Sequence, residues 1–98
     1  MRQGRLDQQV ERALVALMEA EEAVKVLVEQ VEAWTEMRDE LKTRALVSET
    51  PLASADYDEM ERQLAVASAA LNRQREEVLT RRAAYENLLE NWQPEEVV

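Results

Sequence analysis

Apolar residues recur along the first half of the chain at alternating steps of four and three: Leu6, Val10, Ala13, Leu17, Ala20, Val24, Leu27, Val31 and Trp34, then Leu41 and Ala45. Such steps keep a row of side chains on one face of a slightly wound helix, so they predict the seam of a coiled coil, with Arg38 as its one charged interruption. Neither Gly nor Pro falls between Arg5 and Val47, and a single helix over 6–47 is expected after a flexible N-terminus at 1–5. A second seam follows. Tyr57, Leu64, Leu71, Val78, Tyr85 and Trp92 recur every seven residues, with Met60, Ala67 and Leu88 between them and Gln74 and Arg81 as polar exceptions.

Between the seams stands "SETPLAS", residues 48–54. Pro51 disfavours helical geometry at Thr50 and has no backbone N–H to donate. Ser54 and Asp56 both suit a helix N-cap, and Asp56 with Glu59 resembles a capping box. The pattern therefore predicts a loop over 48–54 and a second helix over 55–92. The alternative is a kinked continuous helix in which Thr50 caps a turn that Pro51 opens.

Whether the chain folds back is tested by pairing positions at a constant sum of residue numbers. A sum of 102 joins Ala45 to Tyr57, Val31 to Leu71, Val24 to Val78, Leu17 to Tyr85 and Val10 to Trp92, and it sets Arg38 beside Leu64. A sum of 101 joins Leu41 to Met60, Trp34 to Ala67, Leu27 to Gln74 and Ala13 to Leu88, and large meets small at Trp34 with Ala67 and at Ala13 with Leu88, as interdigitating layers require. The same register brings opposite charges together at Glu29 and Arg73, Glu21 and Arg81, Arg12 and Glu90, Lys42 and Glu59, and Arg44 and Asp58. The expected fold is all-α, an antiparallel two-helix coiled-coil hairpin.

Two helices bury one seam each, which is little core for a chain of this length. Apolar residues also lie off the seams, at Leu14, Val15, Met18, Val26 and Val28 on the first helix and at Leu79, Ala83, Ala84 and Leu89 on the second. A lone hairpin would leave them in water. The candidate interaction patch is Leu14, Val15, Met18, Val26, Val28, Leu79, Ala83, Leu89 and Trp92, and "LAVASAAL" at 64–71 adds a surface of small residues that another helix can approach closely. Two occupants suit it: a second copy, giving a dimeric four-helix bundle, or an amphipathic helix of another protein.

Composition narrows the chemistry. Twenty-one acids against twelve bases give a net charge of −9, which opposes a phosphate backbone, so no nucleic-acid partner is expected. The chain has no His, no Cys and a single Gly, which removes the usual zinc ligands, the near-neutral general base, the thiol nucleophile and any Gly-rich phosphate loop. No catalytic, cofactor-binding or metal site is predicted, and Glu19, Glu21 and Glu22 read as a solvated face that pairs with Arg81 and Arg82. The longest apolar run, Ala13 to Met18, is too short to span a bilayer, no signal-peptide pattern is present, and a cytoplasmic protein without a membrane partner is expected.

Single features add little. Gln74 and Arg81 face Leu27 and Ala20, and the Arg81 head is expected in water near Glu21. Trp34, Trp92, Tyr57 and Tyr85 stand on seam positions as packing residues. The acidic tail, 93–98, ends in "EEVV" and resembles ligands of carboxylate-capturing domains. The functional expectation is a non-enzymatic interaction module, an adaptor or structural subunit. The alternatives are an acidic chaperone or regulator that masks a partner's amphipathic helix, and an acidic mimic of nucleic acid.

Overall fold

The computed structural model describes residues 2–92. Two α-helices account for nearly all of them, α1 over Arg2–Ser48 and α2 over Pro51–Asn91, and the chain is a two-helix hairpin. The helices divide between two compact units, a terminal unit (Met1–Val24 with Gln74–Val98) and a turn unit (Lys25–Arg73). Each unit packs a segment of α1 against a segment of α2.

The turn departs from expectation. The connection is Glu49 and Thr50 alone, not the seven residues 48–54, and α2 begins at Pro51 rather than 55. Thr50 is the reason. Its hydroxyl accepts a hydrogen bond from the Ala53 N–H at 3.2 Å, and its carbonyl accepts one from the Ser54 N–H at 3.1 Å, so Thr50 is the N-cap. Pro51 then stands at the first helical position, where a fixed φ helps and a missing N–H costs nothing. The N-cap chemistry of Ser54 and Asp56 goes unused at exposed positions within α2.

α1 stops at a different device. The Ser48 hydroxyl donates to the Arg44 carbonyl, and the Glu49 N–H donates to the Ala45 carbonyl at 3.1 Å. Glu49 itself has a φ of 52°, the left-handed conformation that closes many helices and that suits Gly better than a residue with a Cβ. At the other end α1 starts at Arg2, ahead of Leu6, since nothing before Leu6 except Gly4 weakens a helix.

The seams turn inward as the periodicity requires. Val10, Leu17 and Ala20 are buried in the terminal unit, and Ala53, Leu64, Ala67 and Leu71 in the turn unit. The other seam positions are half-buried, Gln74 included, and Arg81 alone among them is exposed. Even the buried residues keep 6–8% of their surface, and no large side chain among the described residues is completely enclosed. Two helices meet along a line, so each inward side chain has solvent to one side.

Candidate interaction surface

In the terminal unit the helices are tied across the seam by polar groups. The Gln74 amide donates to the Ala20 backbone carbonyl at 3.4 Å, Arg82 Nη2 lies 3.3 Å from Glu21 Oε2, and the Trp92 indole N–H donates to Asp7. Arg81 turns back along its own helix to Glu77 at 2.7 Å, so Glu21 takes Arg82 where the sequence register had offered Arg81. A shallow groove of about 250 Å³ beside these groups is lined by Ala16, Glu19, Ala20, Gln74, Glu77 and Arg81. Its walls are polar and open to water.

Apolar surface lies outside that network. Leu14, Val15, Met18 and Leu79 are exposed, Met18 to 58%, and Ala83 is exposed as well. Leu89 and Trp92 are half-buried. All seven belong to the terminal unit. Leu14, Val15 and Met18 follow one another at three- and four-residue reach on the outward side of α1, which makes them a continuous apolar strip one turn long.

The remaining two patch residues fall in the turn unit and do not act together. Val26 is exposed and Val28 is half-buried. Two residues apart on a helix point to nearly opposite sides, so no single flat partner surface covers both. The turn unit has other exposed apolar residues that the sequence reading left out of the patch: Met37, Leu46, Val47, Leu52 and Val66. Leu46, Val47 and Leu52 flank the two-residue turn, and Val47 is 80% exposed. The signal for Met37 and Val66 was their off-seam position on otherwise regular helices. Val66 lies within the small-residue stretch already noted, where Ala65 and Ala69 are exposed beside it.

Charges in the turn unit are arranged around two residues. Arg38, the interruption in the first seam, donates from Nε to Asp39 at 3.1 Å and brings Nη1 to 3.4 Å from Glu61 Oε1. The hydrogen bond to Asp39 and the field of the two carboxylates hold its guanidinium above the ordinary value against partial desolvation. Glu59 accepts from Arg62 Nη2 at 2.6 Å and from Gln63 Nε2 at 3.3 Å, and these bonds, Arg62 first, hold its carboxyl below the usual range. Beside them a shallow groove of about 260 Å³ is lined by Trp34, Glu59, Arg62, Gln63 and Val66.

None of the five interhelical charge pairs read from the sequence register occurs among the described residues. The ion pairs that form among the described residues are Arg38 with Asp39 and with Glu61, Arg62 with Glu59, Arg81 with Glu77, and Arg82 with Glu21, the last as expected of the Glu19, Glu21 and Glu22 face. The "EEVV" tail lies outside the described residues. Among the described residues no helix is long and apolar enough to cross a membrane. Comparison with protein families, with curated proteins and with solved structures found no match.

Proposed function

We propose that this protein is a non-enzymatic interaction module, a helical hairpin that pairs with a second copy through the terminal unit to form a four-helix bundle and serves as an adaptor or structural subunit in the cytoplasm. The observation that carries the reading is the row of exposed apolar side chains on the terminal unit, Leu14, Val15, Met18 and Leu79.

Met18 and Leu79 are 58% and 62% exposed and Leu14 and Val15 37% and 47%, and covering a side chain of this size contributes about 1.5–3 kcal/mol at most. A two-fold pairing uses the same strip on both copies. The lack of His and Cys in the chain is in keeping with a binding role.

Sedimentation equilibrium over a wide concentration range tests the proposal. The expected mass is twice 11.3 kDa. Met18→Glu changes an exposed side chain, so it is expected to return the mass to that of one chain while helix content stays. A single-chain mass for the unaltered protein at every concentration, or a dimer that survives Met18→Glu, would count against it.

A further inference from the structure

Over most of its length the α1 seam matches itself better than it matches α2. From Leu6 to Trp34 its inward positions are all apolar, whereas α2 presents Gln74 and Arg81 on its own inward side. Two copies of α1 laid parallel and in register would set each of these residues against its counterpart, as in a two-stranded coiled coil. None of the pairs that flank such a seam, Ala16 with Glu21 or Met37 with Lys42 among them, joins like charges. The short connection favours the hairpin by proximity, but up to Trp34 no side chain of the α1 seam opposes pairing with a second α1.

Arg38 changes this. It stands at the next seam position after Trp34 and is half-buried. Its Nη1 lies 3.4 Å from Glu61 Oε1, across the hairpin within the turn unit. That oxygen is shut off from water and has no hydrogen-bond partner, so the guanidinium is the charge that faces it. The other ion contact of Arg38, Nη2 to Asp39 at 3.0 Å, lies within α1 and accompanies it into any pairing. Glu61 comes from α2 alone. In a parallel pair of α1 helices, Arg38 would instead meet the second copy's Arg38.

We propose that Arg38 and Glu61 select the partner of α1, admitting α2 of the same chain and rejecting a second α1 in parallel register. A charged residue at one inward position sets pairing at a cost in stability, and an ion contact across a seam is better suited to that task than to stabilising it. The selection acts in the turn unit and is separate from the self-association of the terminal unit.

The chain has no Cys, so one can be introduced as a reporter. Ala45→Cys lies on the same seam as Arg38, and in-register parallel pairing of α1 sets it against its own counterpart. The full chain is equilibrated in a glutathione redox buffer and the disulfide-linked fraction is measured. With Arg38 in place a small fraction is expected. Arg38→Leu replaces two facing like charges by an apolar layer and is expected to raise the fraction about tenfold. Arg38→Glu sets like charges against Glu61 and lowers the melting temperature of the hairpin, yet it also sets like charges together between two α1 helices, so the fraction is expected to stay small. This variant separates partner choice from simple loosening. Met18→Glu, in the terminal unit, is expected to leave all three fractions unchanged, which keeps this test apart from that of self-association.

A fraction that is the same with Leu as with Arg at position 38 would overturn the proposal, as would a large fraction with Arg38 in place. An equal rise in Arg38→Leu and Arg38→Glu would overturn it too, because the contact would then be a structural tie with no influence on pairing.

Discussion

The terminal unit and the turn unit are built from segments of the same two helices, yet their seams are made of different materials. The turn unit buries Leu64, Ala67 and Leu71 on α2 and crosses between helices with one ion contact, Arg38 to Glu61. The terminal unit has Gln74 and Arg81 at the corresponding inward positions and crosses with the Gln74, Arg82 and Trp92 contacts. Sequence separation accounts for the contrast. The two-residue connection brings the turn unit's segments together at small entropic cost, whereas the terminal contacts join residues 54, 61 and 85 apart. Apolar packing slides easily along a seam, and directional hydrogen bonds define the register where the turn no longer does. The lesson is that polar groups near a two-helix seam specify alignment more than they stabilise it.

The comparison breaks most sharply at the buried leucines. Leu17→Ala in the terminal unit and Leu64→Ala in the turn unit are each expected to cost about 2–4 kcal/mol, read by denaturant unfolding at one fixed protein concentration. If the units differ only in their polar contacts, the two losses agree to within about 1 kcal/mol. A much larger loss for Leu64→Ala would mean that the turn unit supplies most of the folding energy.

The polar contacts come next in size. Trp92→Phe removes the donor to Asp7 and is expected to cost about 1 kcal/mol. Hydrogen exchange should then quicken at the ends of α1 and α2 near that contact while amides around Leu64 stay protected. Uniform loss of protection would show that the two units unfold as one. Thr50→Ala removes the cap of α2 and is expected to cost about 1 kcal/mol as well, with its exchange signature confined to the turn unit.

Smaller effects sharpen the picture of the turn. Glu49→Gly relieves a left-handed residue at the end of α1 and is expected to raise stability by about 0.5 kcal/mol, since relief of strain outweighs the entropy that Gly adds to the unfolded chain. The smallest effect is a pH dependence. The Glu59 carboxyl is held low by Arg62 and then Gln63, so its contribution is present above the unfolded carboxylate value and is lost as pH falls through the lower folded value. Thermal unfolding of Glu59→Gln against the unaltered protein across that window should show a gap that narrows as the solution is acidified.

Much of the hairpin was legible because periodicity is a local property. A residue at steps of four and three lies on one helix face wherever the helix goes, and from Leu6 to Trp92 every seam residue except Arg81 is buried or half-buried. The exception was legible too, since an arginine whose stem can follow the seam keeps its head in water. The candidate surface was harder to read. Val26 and Val28 entered one patch because both are apolar and off the seam, although two residues along a helix reverse direction. Leu52 was missed because 48–54 was read as a loop, where exposed apolar residues have no face to belong to, and Leu46 and Val47 because they stand off the seam at the very end of the expected first helix.

The amino-acid pattern by itself determined two long helices, their inward faces and a reversal close to Pro51, because these depend on spacing and on the backbone chemistry of Pro and Thr. Tertiary structure alone decided how short the turn is and which groups meet across it. Ser54 and Asp56 are as good as caps as Thr50 in isolation, and Thr50 prevails where Glu49 can take the left-handed conformation that ends α1. Arg81 and Arg82 are equally close in sequence to the facing glutamates, and only the settled packing sends one to Glu77 and the other to Glu21. Long charged side chains can each reach several partners at nearly equal energy in water, so spacing names the set of partners and packing selects among them.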